Sequence, residues 1–209
     1  RLGNLALGWT ARLGPAWQSR LTAGVNRDES DARTNDGPPR RFHTTGRQVD
    51  WRHEVALAEG QVLSATVGVR RQHIDSDTGY TETTRTTRHV ALAWNADYGR
   101  AQAQAAVRHD RISGGVGAAT TGLLGGGWRL GDDWKLLGSL STAFNAPTFN
   151  QLYYPFGFGN PDLKPEHARS VELAGQYGRG HTLARLAWFR TDFSDLIDYQ
   201  GPKGSPINV

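Results

Sequence analysis

Cysteine and methionine are both missing from the 209 residues, lysine occurs only at Lys135, Lys164 and Lys203, and no run of about 18 apolar residues exists. Each gap excludes something. The lack of cysteine removes disulfides, which suits an envelope protein made without them and is equally allowed in a cytosol. Without methionine, Arg1 reads as a cut end and the chain as an interior fragment of something larger; no signal peptide is visible. The missing apolar run excludes a transmembrane helix but not a membrane. A transmembrane strand needs only about 9 to 11 residues, half of them polar, and such a chain reads as hydrophilic on average. That matches a hydrophobic fraction of 37%, a mean hydropathy of -0.56 and 26 glycines, values thin for a packed soluble interior. The net charge of +4 is carried almost wholly by arginine. These arginines are spaced along the chain rather than gathered with aromatics, which argues against a nucleic-acid surface.

What the chain does have is alternation. Leu5, Leu7 and Trp9 alternate with small or polar residues, and so do Leu21, Ala23 and Val25, then Val49, Trp51, Val55 and Leu57. The pattern repeats through Leu63 to Val69, Val90 to Ala96, Ala101 to Val107, Leu124 to Leu130, Trp134 to Phe144, Val171 to Tyr177 and Ala184 to Trp188. The reading is about ten strands. Short turns near Gly14, Gly60, Gly99, Gly131 and Gly178 alternate with longer connections at residues 28–41, 75–81, 112–121, 144–169 and from Phe193 onward. One trimmed edge and one elaborate edge is how outer-membrane barrels are built. Trp94 and Trp134 lie near short-turn ends of the apolar face, and Phe144 and Trp188 near the opposite ends, as interfacial girdles would. A soluble antiparallel sandwich has the same periodicity. The barrel is favoured because a sandwich core must fill volume, whereas lipid adapts to an apolar face rich in Ala and Gly. His53 shares that face by parity, so it belongs near an interface or the register is wrong.

Residues 144–166 organise the rest. Pro147, Pro155, Pro161 and Pro165 remove backbone donors and fix φ, while Gly157 and Gly159 permit reversals, so this is a long loop with a built shape. Ala143-Phe144-Asn145-Ala146-Pro147-Thr148-Phe149, Leu152-Tyr153, Gly159-Asn160-Pro161-Asp162-Leu163-Lys164-Pro165-Glu166 and the strand opening Ser170-Val171-Glu172-Leu173 together resemble the TonB-dependent outer-membrane receptors. Residues 193–199, Phe-Ser-Asp-Leu-Ile-Asp-Tyr, are similar to the branch that takes up cobalamin. The resemblance implies an all-β fold: an antiparallel transmembrane β-barrel segment, about ten meandering strands of a barrel of about 22. Residues 1–209 then form a partial barrel domain, with neither the plug nor the closing strands. It further implies capture of cobalamin or a ferric siderophore, TonB acting through the plug, and contact with outer-membrane lipid and lipopolysaccharide of a Gram-negative bacterium.

Ligand contacts are expected from Asn150, Tyr153, Tyr154, Phe156 and Phe158, amides and aromatics suited to the rim of a large ligand; for Phe144 and Pro147 a loop-shaping role is expected. Asp28, Asp31 and Asp36, with Glu29, offer oxygen ligands of the kind calcium takes, and the cobalamin branch orders external loops with calcium. No spacing here reproduces a rigid calcium motif, and a solvated acidic loop is the competing reading. Arg27, Arg33, Arg40 and Arg41 suit lipopolysaccharide phosphates or an anionic chelate. Catalysis has little support: His109 with Asp110 and His73 with Asp75 are nominal acid–base pairs, each read as turned to opposite faces, and no nucleophile elbow, zinc spacing or phosphate loop occurs. A passive porin or adhesin barrel would lack the motif at residues 159–166.

Overall fold

The computed structural model describes residues 1–32 and 40–209. Ten strands form one antiparallel sheet in which each pairs only with its neighbours in sequence. They are β1 (Leu2–Gly14), β2 (Trp17–Ala32), β3 (Arg40–Ala58), β4 (Gln61–Ser76), β5 (Thr84–Asp97), β6 (Ala101–Ile112), β7 (Gly117–Leu130), β8 (Trp134–Asn145), β9 (Glu166–Arg179) and β10 (Thr182–Ser194). Among the described residues the only α-helix is the five-residue α1 (Phe149–Tyr153) between β8 and β9. A small hairpin, β11 (Ile197–Asp198) and β12 (Ile207–Asn208), follows β10. Among the described residues no helix is long and apolar enough to cross a membrane.

The register sorts the side chains into two faces. Leu21 opposes Trp51, Trp51 opposes Val67, Val67 opposes Val90, and Leu92 opposes Val107, so most of the large apolar side chains of the strands fall on one side. These residues are exposed: Leu7 is 70%, Leu124 60% and Leu140 53% accessible. An exposed leucine or valine on every strand is the mark of a lipid-facing surface rather than a core. By the same register all seven tryptophans stand on this outer face, none in the lumen. His53 is there too, and the register is as expected. It accepts a 3.0 Å hydrogen bond from Trp17 Nε1 and lies 4.6 Å from the Trp51 ring, close to a short turn. Its polar edge is thus matched in an interfacial aromatic group.

Four expectations change. Residues 28–41 are mostly paired strand, since the β2–β3 ladder runs from Trp17↔Val55 to Ala32↔Arg40. Once a strand rises past the lipid, both faces are polar and the hydropathy contrast vanishes, though the ladder continues. The connection at 112–121 contracts to residues 113–116, with positive φ at Gly114 and Gly115 making the reversal. Phe144, expected in a girdle, packs instead against the internal apolar cluster. His73 and Asp75, two residues apart, share the outer face of β4 rather than opposing each other, and His73 Nδ1 bonds Thr84 Oγ1 at 3.2 Å. His109 and Asp110 do part, outward and inward: His109 meets Thr120 and Asp110 meets Arg108.

Candidate functional site at the external mouth of the lumen

The connection from β8 to β9 turns in over the inner face of the sheet. Thr148 caps α1, accepting from Gln151 N while its own N–H donates to Gln151 Oε1. This turns Phe149, Leu152 and Tyr153 toward the lumen wall. There, with Ile74, Ile112, Val116 and Leu163, they form the buried cluster of the chain. Among the described residues the large buried apolar side chains gather here, so the apolar packing is spent mainly on holding one loop. Gly159 closes the fold, with its N–H on Tyr154 O and that of Asn160 on Gln151 O. A Cβ at Gly159 would stand 2.6–2.8 Å from the backbone of Leu152 and Tyr154, so no other residue fits.

The motif at residues 159–166 works as a clamp. Asn160 Oδ1 accepts from Asp162 N and its amide donates to Pro206 O; Lys164 N donates to Asn208 Oδ1; Glu166 accepts from Ile197 N and Asn145 Nδ2. The loop and the hairpin β11–β12 are thereby tied into one external platform.

The expected ligand residues sit on this platform in different ways. Tyr153 is buried, and its hydroxyl donates to Gly114 O, anchoring the loop to the β6–β7 turn. Asn150 Oδ1 accepts from Tyr80 Oη at 2.6 Å. Burial, then the neighbouring Tyr154, raises the Tyr80 pKa, so its phenol stays protonated as that donor. Tyr154 and Phe158 stand edge to face at 6.3 Å and Tyr80 and Tyr154 at 6.0 Å, while Phe42 and Tyr80 are tilted at 5.8 Å. The result is a row of four rings across the mouth. Phe156 is at the tip, 77% exposed with φ 67°. Phe42 and Tyr80 were missed from sequence because each is a lone aromatic in a polar stretch.

Below the rings lies a polar recess of about 500 Å³ lined by Asp50, Arg70, Arg85, His89, Arg108 and Asp110, among others. Asp110, 2% accessible, takes both Arg108 Nε and Nη2 at 2.7 Å. Asp50 Oδ1 lies 3.1 Å from His89 Nε2.

The acidic residues are not brought together. Asp28 and Asp31 differ in parity on β2 and so face opposite sides of the sheet, with Asp31 3.1 Å from His43 Nε2; Asp36 lies outside the described residues. Asp28 and Asp31 do not fit a shared calcium shell, and no group of three or more possible metal ligands occurs among the described residues. Of the expected basic residues, Arg27 pairs with Glu29 at 2.7 Å and Arg41 N donates to Asp77. Arg33 and the side chain of Arg40 lie outside the described residues. A different set stands out on the outer face just above the apolar band: Arg47 opposes Arg71 and Arg88 opposes Arg111, all exposed. None of the four is in ion-pair contact with a carboxylate of the described residues.

The family model described as TonB dependent receptor-like, beta-barrel matches residues 2–209. The chain is a TonB-dependent receptor barrel. This family comprises outer-membrane transport receptors of Gram-negative bacteria rather than enzymes. Among curated relatives, a vitamin B12 transporter from Vibrio vulnificus is 30% identical over 169 residues, covering 77% of this chain and 27% of the relative. Its counterpart from Photobacterium profundum is 28% identical over 181 residues, covering 86% and 29%. This TonB-dependent receptor chain therefore spans under a third of the length of those relatives. Among solved structures, the FrpB iron transporter of Neisseria meningitidis superposes with a TM-score of 0.79 at 17% identity, over 99% of this chain and 38% of that one. The siderophore receptor PirA of Pseudomonas aeruginosa gives 0.69 at 18%, over 100% and 48%. At such identities these two establish the shared fold and nothing finer.

Proposed function

We propose that the receptor to which this chain contributes imports cobalamin across the outer membrane, using TonB-derived energy delivered through a plug, and that the ring row at the mouth forms part of the cargo rim. The observation that carries this reading is the similarity to two proteins named vitamin B12 transporters. The physical support is a wide aromatic mouth above a polar recess, apt for a large ligand with an apolar body and polar edges. Tyr154, Phe156 and Phe158 are the contacts nearest solvent; Asn150 and Tyr153 hold them in place. A ferric siderophore is the second reading, favoured by the arginines of the recess.

Lipopolysaccharide is the second partner in this reading. Like charges directly opposite on a sheet repel, so Arg47–Arg71 and Arg88–Arg111 suit a level where anionic headgroups lie between them.

Equilibrium binding of cyanocobalamin to the full-length receptor in detergent, with a ferric siderophore as competitor, tests the cargo. Saturable cyanocobalamin binding that the siderophore does not displace is the expected result. Siderophore binding with no response to cyanocobalamin would overturn the cobalamin reading and leave the family untouched.

A further inference from the structure

Arg85 is the least comfortable side chain in the molecule. It is 8% accessible, on the inner face of β5, and its Nη2 is fully enclosed with no hydrogen-bond partner among the described residues. The Phe149 ring lies 4.6 Å from Cζ. That contact covers one face of the guanidinium but supplies no acceptor in its plane, where all five donors point. A buried charge without an acceptor is costly and calls for a counter-group. The carboxylates of the same recess do not provide one, because Asp110 is held by Arg108 on both oxygens and Asp50 lies against His89.

A second guanidinium is close by. Arg70 lines the same recess, is exposed and forms no ion pair with the described residues. Gln72 opposes Arg85 and Arg70 opposes Thr87, so the two arginines occupy diagonal positions on one face of adjacent strands. Diagonal neighbours are about 7–8 Å apart, within joint reach of long side chains. Two forks converging from that spacing match the oxygens of one phosphate or carboxylate.

We propose that Arg85 and Arg70 form an oxyanion seat in the lumen wall beneath the aromatic mouth. The oxyanion is a phosphate or carboxylate group, with two sources: the cargo, or another segment of the receptor's own chain. Where the cargo is the source, the inference rests on the cobalamin reading, since that ligand carries a single phosphodiester on an arm that cobinamide lacks.

The experiment uses full-length receptor in detergent, as wild type, Arg85→Gln and Arg85→Lys, and reads Tm with inorganic phosphate against chloride at equal ionic strength. Affinities for cyanocobalamin and for dicyanocobinamide are measured alongside. The expected result is a phosphate-dependent rise in Tm that Arg85→Gln abolishes and Arg85→Lys partly keeps. With it comes a cyanocobalamin affinity about ten- to a hundredfold weaker in Arg85→Gln, the cobinamide affinity being unchanged. A Tm loss in Arg85→Gln with no phosphate response and equal weakening of both corrinoids, persisting in a Phe149→Leu background, assigns the seat to a carboxylate of the receptor itself. If that Tm loss disappears in the Phe149→Leu background, Arg85 is only a stacking partner and the seat is overturned. It is equally overturned if Arg85→Gln matches wild type in Tm, phosphate response and both affinities. Wild-type receptor that binds neither corrinoid refutes the cargo reading above, and the phosphate and Tm comparisons still decide the seat.

Discussion

Arginine in place of Leu92 costs the assembled barrel about 2–4 kcal/mol, enough to deplete folded receptor from the membrane. Leu92 is 47% exposed and stands between Ala65 and Val107 on the outer face. Trp94 lies two residues nearer the short turn and Arg88 four residues nearer the external edge, which puts Leu92 in the middle of the apolar band. A charge there has no lumen or headgroup within easy reach. The same residue type at position 109 is the control. His109 is also outward, opposite Val90 and two residues from Arg111 of the arginine belt, and His109→Arg costs less than Leu92→Arg because the penalty falls steeply toward the interface. Urea unfolding of full-length receptor in phospholipid vesicles measures both. Equal costs at the two positions would mean that the outer face or its depth has been wrongly assigned.

Leu152→Ala is expected to act on a different part of the molecule. Leu152 is 1% accessible in the cluster with Ile74, Ile112 and Leu163, and large-to-small changes at such sites cost about 2–5 kcal/mol. The cluster fastens a loop onto a sheet whose hydrogen-bond ladder does not depend on it, so the loss appears as local opening. Amides of Gly159 and Asn160, which donate to Tyr154 O and Gln151 O, should exchange at least about thirtyfold faster. Strand amides of β8 and β9 should keep their rates. On the reading that the ring row forms the cargo rim, cargo affinity is expected to fall as well, because Tyr154 and Phe158 lose their fixed positions. Phe156→Ala separates the two effects: at 77% exposure it changes stability by less than about 0.5 kcal/mol and shows itself only in binding. Uniformly faster exchange in the strands of Leu152→Ala would contradict a loop held independently of the barrel.

The lipid-spanning part of each strand was legible because period-two alternation has contrast there. Leucine and tryptophan on one side oppose glycine, serine and glutamine on the other, and even His53 fell on the face its parity demanded. Above the lipid that contrast is gone. Asp28, Ser30 and Thr44 are paired strand residues, but nothing in their polarity distinguishes them from a loop. The platform was legible as a long shaped loop because its prolines and glycines are local signals. Its partners were not: Tyr80 and Gly114 come from other connections and Phe42 from β3, and only folding brings them to Tyr154 and Tyr153. Arg85 carries no sequence mark at all, since one arginine in a polar strand end reads like any other until burial singles it out. Asp28 and Asp31 were read as members of one loop, in which neighbours can converge; on a paired strand their parity turns them to opposite faces instead.

The placement of every tryptophan on the outer face also determines what light reports. Intrinsic indole emission from this part of the receptor comes from rings bathed in acyl chains and headgroups, so brominated lipids quench it while a water-soluble quencher confined to the lumen does not. On the cobalamin reading, cargo at the mouth meets tyrosine and phenylalanine rings of this segment rather than its indoles, and is expected to dim the indoles through energy transfer across the barrel wall rather than by contact. The same molecule therefore carries two optical populations separated by one layer of backbone, one that senses the bilayer and one that senses the ligand.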